Sequence, residues 1–241
     1  MKPDFQIESN HISILIDEDF PMTMQVGMIG SNGILLASDT RHTINPLIGG
    51  SGARHHYGAS KIKIDPTGQM AIACAGDMPT AKRIADRIMA ELMTVDPFQR
   101  EQRIWEIGSA VANGLDTECL IAYPDSRMYL FQCANSGRDV QCIEINDSIH
   151  AGDRINAATF WTTRYCKRLP IKRLLRLAAL VILEAHKLAN GTIKGLEIVH
   201  WDGAKYHRLP RGENREWESK ARQWDKQIGR FVLGYGKDVS L

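Results

Sequence analysis

The chain has 241 residues, of which 44% are hydrophobic and 24% are charged, a composition typical of a soluble globular protein. This length allows one sizeable hydrophobic core or at most two small domains. The formal net charge of +2 gives no electrostatic reason to expect binding to nucleic acid or to an acidic membrane.

The five cysteines are scattered, and none belongs to a CxxC pair, which argues against a zinc site and against a disulfide framework. The first 20 residues contain five acidic side chains and no long apolar run, so no secretory signal is expected. The most apolar segment, LAALVIL at 177–183, is too short to span a bilayer. A reducing cytoplasm is the predicted location.

Residues 1–21 are acidic, end in Pro21 and carry only the short apolar patch ISILI. They are predicted to be an appendage outside the core, either a propeptide or the result of a start codon assigned too early, with Met22 as the true initiator. Residues 22–241 are predicted to form a single domain that ends in a C-terminal helical extension.

The first elements of that domain are predicted to be two β-hairpins. MQVGMIG and GILLASD flank an SNG turn, and SKIKID and QMAIACAG flank a PTG turn. Between them, residues 44–59 are rich in glycine and predict a loop. Four strands are therefore expected before the first helix.

The remaining elements come in blocks of helices and strands. Helical spacing of apolar residues begins at Thr80, where Pro79 suits a first turn, and recurs at 98–115. Three strand-like runs follow, namely ECLIAYP, RMYLFQC and DVQCIEI. Helices are then predicted at 154–167, 171–189 and 213–230, with the strands LEIVHW and KYHRL before the last of them.

This order disfavours a parallel sheet built from alternating strands and helices. Strands that are apolar at nearly every position, such as MAIACA, indicate a sheet covered on both faces. The predicted fold class is α+β, with two stacked antiparallel sheets enclosed by outer helices.

TMQVGMIGSNGILLASDTRHT resembles the opening of a proteasome β-type peptidase, where a Thr-led strand leads through a Gly turn to an Asp-x-Arg-x-Thr sequence. SKIKID and MAIACAGD are similar to the lysine-bearing strand and the oxyanion segment of that family, and GLEIVHWDGAKYHRL to its late hairpin. The resemblance extends from about residue 22 to about residue 210. It implies the four-layer αββα sandwich of Ntn-hydrolases, assembled into stacked rings, as in bacterial proteasome-like peptidases.

The resemblance also implies a catalytic site. Thr23 matches the N-terminal nucleophile, Asp39 the acid sixteen residues later, and Lys61 the active-site lysine. Gly76 matches the oxyanion-hole glycine, and Arg41 and Thr43 match the residues that follow the acid and border the substrate.

The chemistry that these residue types allow is consistent with the resemblance. A threonine hydroxyl is a poor nucleophile and needs a base, which a free α-amine with a pKa near ~8 can supply. A neighbouring lysine stabilises developing negative charge, and an aspartate holds that lysine by an ion pair. A glycine N–H can approach the tetrahedral oxygen closely.

Taken singly, each residue has an ordinary structural explanation. Thr23 suits a β-strand, Asp39 a strand end, Lys61 a solvated surface and Gly76 a turn. Their joint order and spacing favour the catalytic interpretation. The adjacent His55 and His56 do not suggest a metal site, because their side chains would diverge and no carboxylate lies at ligand spacing.

Two positions depart from the family pattern. Asp153 follows Gly152 where a serine is usual, and it is either an acceptor for the Thr23 amine or a helix cap. Thr192 is the candidate replacement for a later serine. Both are accessory site candidates.

The residue before Thr23 is methionine, whereas precursors of the family usually have glycine there. Met22, preceded by the stiff Pro21, argues against self-cleavage and favours removal of an initiator methionine, which would expose Thr23.

The predicted function is a self-compartmentalising threonine peptidase that needs no cofactor or metal. Its predicted partners are further copies of itself in rings, peptide or unfolded-protein substrates and, as a candidate, an ATP-dependent unfoldase. Nucleic acid and membrane are not expected partners. Two alternatives stay open: a non-catalytic ring-forming scaffold subunit, and an Ntn amidase that acts on a small amide.

Overall fold

The computed structural model describes residues 23–44, 54–57, 60–152, 159–166, 169–189 and 193–232. The predicted appendage, residues 1–21, lies outside the described residues, so its separation from the core stays a prediction.

Within the described ranges the chain forms twelve strands and five helices. The strands are β1 (Met24–Gly30), β2 (Gly33–Ser38), β3 (Arg41–Ile44), β4 (Arg54–Tyr57), β5 (Ile62–Ile64), β6 (Ala71–Gly76), β7 (Thr117–Ala122), β8 (Met128–Ala134), β9 (Asp139–Ile145), β10 (Ser148–Gly152), β11 (Glu197–Trp201) and β12 (Tyr206–Arg208). The helices are α1 (Met78–Glu91), α2 (Pro97–Ala112), α3 (Thr159–Tyr165), α4 (Ile171–Leu188) and α5 (Arg211–Val232).

Ten of the described strands form two five-stranded sheets, and all their pairings are antiparallel. The first sheet has the order β10-β1-β2-β11-β12, and the second has the order β5-β6-β7-β8-β9. Strands β3 and β4 form a separate two-stranded ribbon. The chain passes from the edge of the second sheet, β9, to the edge of the first sheet, β10, where it pairs with β1.

Three apolar clusters hold these layers together. One lies between the two sheets, one between the second sheet and α1 with α2, and one between the first sheet and α4 with α5. The predicted sandwich of two antiparallel sheets between helices is thus confirmed.

Strand β6 and the residue before it show why an uninterrupted apolar run indicates a strand that is buried on both faces. Met70, Ile72 and Cys74 belong to the cluster beneath α1 and α2, whereas the intervening alanines belong to the cluster between the sheets. Because successive side chains of a strand point to opposite faces, burial on both faces requires apolar residues at every position.

Three strands, β3, β4 and β10, were not predicted from the sequence, and six strands precede α1 where four were expected. Residues 54–57, within the segment predicted to be a loop, form β4 and pair with β3, so that prediction was wrong for these residues. The sequence RHHY has no alternation of apolar and polar residues, and only pairing with β3 makes it a strand. The short β10 was missed for the same reason, since it is defined by its pairing with β1.

The predicted helices are present, with small differences in their ends. The helix expected at 154–167 is described from Thr159 to Tyr165, and part of its predicted range lies outside the described residues. Helix α1 begins directly after Asp77, whose side chain accepts a hydrogen bond from the Thr80 backbone N–H at 3.0 Å, with Pro79 in the first turn. This N-cap fixes the start of α1 immediately after Gly76.

We expect Gly108→Ala to destabilise the fold. Gly108 lies in α2, and a Cβ there would stand 2.2 Å from Cε2 of Phe131 on β8. Overpacking of this kind costs roughly 1–3 kcal/mol, which outweighs the ~1 kcal/mol that alanine ordinarily contributes over glycine in a helix. Chemical denaturation measures the change.

Gly229→Ala is the matched control, because a Cβ at Gly229 in α5 would meet no atom within 4 Å. This variant should be unchanged or more stable by up to about 1 kcal/mol. Equal stabilisation by both substitutions would contradict the packing of α2 against β8.

Candidate functional site

The structure brings together three residues that are distant in the sequence. Thr23 immediately precedes β1, Asp39 immediately follows β2, and Lys61 immediately precedes β5 in the other sheet. The Lys61 Nζ lies 2.9 Å from the Thr23 Oγ1 and 2.8 Å from the Asp39 Oδ1. The ammonium group of Lys61 therefore connects the predicted nucleophile to the predicted acid across the gap between the two sheets.

The Asp39 carboxylate is held by backbone donors as well as by the lysine. The Met24 N–H donates to Oδ1 and the Arg41 N–H donates to Oδ2, each at 3.1 Å. The Asp39 N–H donates to the Met24 carbonyl at 3.1 Å. Both oxygens of this carboxylate thus have donors, as burial of a charged group requires.

Burial strongly affects the protonation of the pair, since Lys61 is 1% exposed and Asp39 is 0% exposed. Burial raises the pKa of the Asp39 carboxyl, and the charge of Lys61 and the backbone donors oppose that rise. Burial likewise lowers the pKa of Lys61, Asp39 opposes this, and the charge of Arg41 adds to it. Transfer of a proton from the lysine to the carboxylate is therefore less unfavourable here than in water.

This geometry gives the Thr23 hydroxyl a specific chemical environment. A protonated Lys61 donates to Oγ1 and stabilises negative charge that develops on it, whereas a neutral Lys61 can accept the hydroxyl proton. Thr23 is 8% exposed. A small part of the residue thus remains open to solvent while its hydroxyl is bound to the lysine.

Gly76 ends the strand that lies beside Lys61. The Cys74 N–H donates to the Lys61 carbonyl at 2.9 Å, and Gly76 follows two residues later with a φ of +77°. A Cβ at Gly76 would stand 2.4 Å from the Asp116 carbonyl oxygen. Glycine is therefore required both by the left-handed backbone and by this close approach.

Cys74 lies on the same strand, two residues before Gly76. Its side chain is fully buried, and its thiol donates to the Ala81 carbonyl in α1 at 3.6 Å. Cys74 is a core residue on the helix-covered face of the second sheet.

The other predicted site residues are distributed as follows. Arg41 begins β3, its backbone N–H binds Asp39, and its charge acts on Lys61. Thr43 lies in the same strand, opposite His55 of β4. Asp153 and Thr192 lie outside the described residues, so their accessory roles stay predictions.

The backbone of Gly152, at the end of β10, lies close to the backbone of Thr23. Gly152 pairs with Met24, has a φ of +85°, and carries no side chain where a Cβ would stand 1.9 Å from the Thr23 carbonyl oxygen. Its N–H donates to the Glu118 carboxylate of the second sheet at 2.5 Å. Sequence reasoning considered the residue after this glycine and missed both Gly152 and Glu118.

The sequence analysis also did not identify Glu197 and Arg208, which lie beside the backbone of Lys61. Glu197 in β11 is 4% exposed, and its carboxylate accepts hydrogen bonds from the Lys61 N–H at 2.9 Å and from the Ser60 hydroxyl at 2.7 Å. Arg208 in β12 forms an ion pair with the same carboxylate. The signal available in the sequence was an acidic residue inside the apolar strand LEIVHW, because a buried acid needs partners.

In the described parts of the chain, no three His, Cys, Asp or Glu side chains come together in a way that would hold a metal ion. None of the described helices combines the length and the apolar character that crossing a lipid bilayer requires.

Comparison with known proteins adds to this picture. No protein-family model matches the sequence. No curated protein matches it either. Among solved structures, the chain is similar to Anbu from Yersinia bercovieri, described as an ancestral β-subunit, with 15% identity and a TM-score of 0.65 over 90% of this chain and 99% of that one.

Two other Anbu structures give the same result. The helical assembly of the Anbu complex from Pseudomonas aeruginosa is 13% identical, with a TM-score of 0.64 over 90% of this chain and 98% of that one. Anbu from a Hyphomicrobium species is 14% identical, with a TM-score of 0.62 over 90% and 100% of the two chains. The chain therefore has the fold of these Anbu proteins, a sandwich of two antiparallel sheets between helices.

We expect Asp39→Asn to lower the pKa of Lys61 further. The attraction of the Asp39 carboxylate raises that pKa against the effect of burial, and asparagine keeps the shape but removes the charge. NMR titration of the lysine side-chain carbons measures the shift. Lys63 is the internal control, because it pairs with Asp86 instead. An unchanged Lys61 titration would contradict the buried ion pair.

Proposed function

We propose that this protein is an N-terminal threonine hydrolase that cleaves peptide bonds with the Thr23 hydroxyl as nucleophile. The observation that carries the proposal is the buried connection from Thr23 Oγ1 to Lys61 Nζ to Asp39 Oδ1, at 2.9 and 2.8 Å. A hydroxyl aligned with a lysine and a carboxylate is the arrangement that an activated nucleophile needs.

The reaction requires a free α-amine on Thr23, and we propose that the mature chain begins there. The junction of Met22 with Thr23 suits removal of a methionine more than self-cleavage. The liberated amine, with a pKa near ~8, then serves as the base beside the hydroxyl.

In the acylation step the α-amine takes the Thr23 hydroxyl proton while Oγ1 bonds to the substrate carbonyl carbon. The carbonyl electron pair moves to its oxygen, which the Gly76 N–H is proposed to bind. Collapse of this intermediate breaks the carbon–nitrogen bond, and the leaving amine takes the proton from the α-ammonium. Water, deprotonated by the same amine, hydrolyses the ester and returns Thr23.

Lys61 and Asp39 have supporting roles in this scheme. The positive charge of Lys61 lowers the pKa of the Thr23 hydroxyl and stabilises its developing alkoxide. Asp39 holds that charge in place and, with its two backbone donors, limits the movement of the lysine.

The first test is covalent labelling of protein that begins at Thr23, as verified by intact mass. An epoxyketone should add one equivalent to this form, and Thr23→Ala should abolish both the adduct and the cleavage of fluorogenic peptides. Thr23→Ser should keep part of the activity, because it retains a hydroxyl. Full-length protein that starts at Met1 and is equally active would contradict the requirement for a free amine.

Lys61→Ala should slow labelling by about two orders of magnitude or more, the scale expected when a group that tunes a nucleophile is lost. Combining it with Asp39→Asn should add little, because residues that act as one unit are not additive. Inert protein with a verified Thr23 terminus would favour the scaffold alternative. Labelling together with cleavage of small amides but not peptides would favour the amidase alternative.

We also propose that the protein assembles into closed rings of identical copies in the cytoplasm, with unfolded polypeptide as substrate and an ATP-dependent unfoldase as candidate partner. Three described helices each carry an exposed phenylalanine side chain, namely Phe98 at 86%, Phe160 at 56% and Phe231 at 84%. Covering these side chains in an interface would remove apolar surface from water, which favours association. The Anbu complex from Pseudomonas aeruginosa forms a helical assembly, and an open helix is the alternative to a closed ring.

Native mass spectrometry at micromolar concentration tests the assembly. A ring should give one dominant species whose mass is a fixed multiple of the protomer mass, whereas an open helix should give a series that grows with concentration. A stable monomer at this concentration would rule out both forms.

A further inference from the structure

We infer that Glu197, together with Arg208, positions the catalytic lysine by fixing its backbone rather than its ammonium group. This inference rests on the proposed function. It concerns a carboxylate that belongs to the first sheet but binds residues at the edge of the second sheet.

The contacts of Glu197 converge on the two residues that precede β5. One carboxylate oxygen accepts from the Lys61 N–H at 2.9 Å, and the other accepts from the Ser60 hydroxyl at 2.7 Å. Arg208 pairs with the carboxylate and also donates to the carbonyl of Ile62, on the other side of the lysine. The backbone on both sides of Lys61 is thus bound by one ion pair.

Lys61 needs such an anchor because β5 is a short strand at the edge of its sheet. The Lys61 carbonyl accepts from Cys74 of β6, but beyond β5 the second sheet has no further strand in the described residues. The Lys61 N–H is nevertheless provided with an acceptor, which comes from the other sheet. Without it, a buried donor next to the reacting group would lack a partner.

The position of Glu197 also links the lysine to the acid. In the first sheet Glu197 lies opposite Ser38, the residue before Asp39. Its backbone therefore adjoins the strand that carries the acid, while its side chain holds the residue that carries the ammonium. The separation between Asp39 and Lys61 depends on this bridge between the sheets.

The charge of Glu197 is balanced locally. The residue is 4% exposed, and the guanidinium of Arg208 accompanies it. Removing only one member of a buried ion pair leaves an uncompensated charge, whereas replacing both members with apolar residues is often tolerated. This difference allows positioning to be separated from general stability.

The decisive variant is the double substitution Glu197→Met with Arg208→Met, made in protein that begins at Thr23. It leaves no unpaired charge but removes the acceptor for the Lys61 N–H. We expect a cooperatively folded protein whose melting temperature falls by a few degrees, because the Lys61 N–H loses its acceptor. Epoxyketone labelling of Thr23 per folded molecule should be slowed at least tenfold, with a lower kcat and little change in KM. The Lys61 amide should exchange its hydrogen faster than in the wild type, as measured by NMR.

Arg208→Met alone and Glu197→Gln alone each keep an acceptor for the Lys61 N–H, so both should label faster than the double variant in their folded fraction. Arg100→Met is the matched control, since it removes another mostly buried arginine that pairs with Asp125 at the opposite side of the second sheet. It should leave the labelling rate per folded molecule unchanged.

Labelling by the double variant at the wild-type rate, or an unchanged exchange rate of the Lys61 amide, would overturn the inference. The amide measurement does not require activity. If the wild-type protein fails to label, the proposed peptidase function fails, but accelerated Lys61 exchange in the double variant would still support the positioning contact.

Discussion

The buried ion pair between Lys61 and Asp39 is the interaction on which the rest of the site depends. Its two members come from different sheets, and both are almost entirely withdrawn from solvent. Such a pair is tolerated only when its geometry is good and its remaining hydrogen-bonding capacity is used. Here the two sheets stack closely enough for direct contact, and backbone donors from Met24 and Arg41 complete the carboxylate.

Small residues make this stacking and the approach to Thr23 feasible. The face of β6 that meets the other sheet carries alanine side chains, which occupy little space between the layers. Gly76 and Gly152 each adopt a positive φ at places where a Cβ would collide with a backbone carbonyl. The site is therefore bounded by backbone on two sides, and backbone is more rigid than side chains.

The site contains two ion pairs, Asp39 with Lys61 and Glu197 with Arg208. Asp39 acts on the ammonium end of Lys61, and Glu197 acts on the backbone of the same residue. Arg208 balances Glu197, so that carboxylate need not compete for the ammonium of the lysine. Asp39 and the backbone of Lys61 are each held by hydrogen bonds of their own, so side-chain motion changes the geometry of their ion pair little. The proposed catalysis requires such a preorganised site.

The sequence by itself determined the features that depend on neighbouring residues. Turn sequences between apolar runs identified the hairpins β1–β2 and β5–β6, and Pro79 marked the first turn of α1. The same pattern, through its resemblance to a known family, singled out Thr23, Asp39 and Lys61, which the fold brings together. Tertiary structure decided the rest: β4 and β10 exist only through pairing with another strand, and Glu197 reaches Lys61 across 136 positions of the chain. Such contacts depend on how the sheets stack, and no local pattern of residues records that stacking.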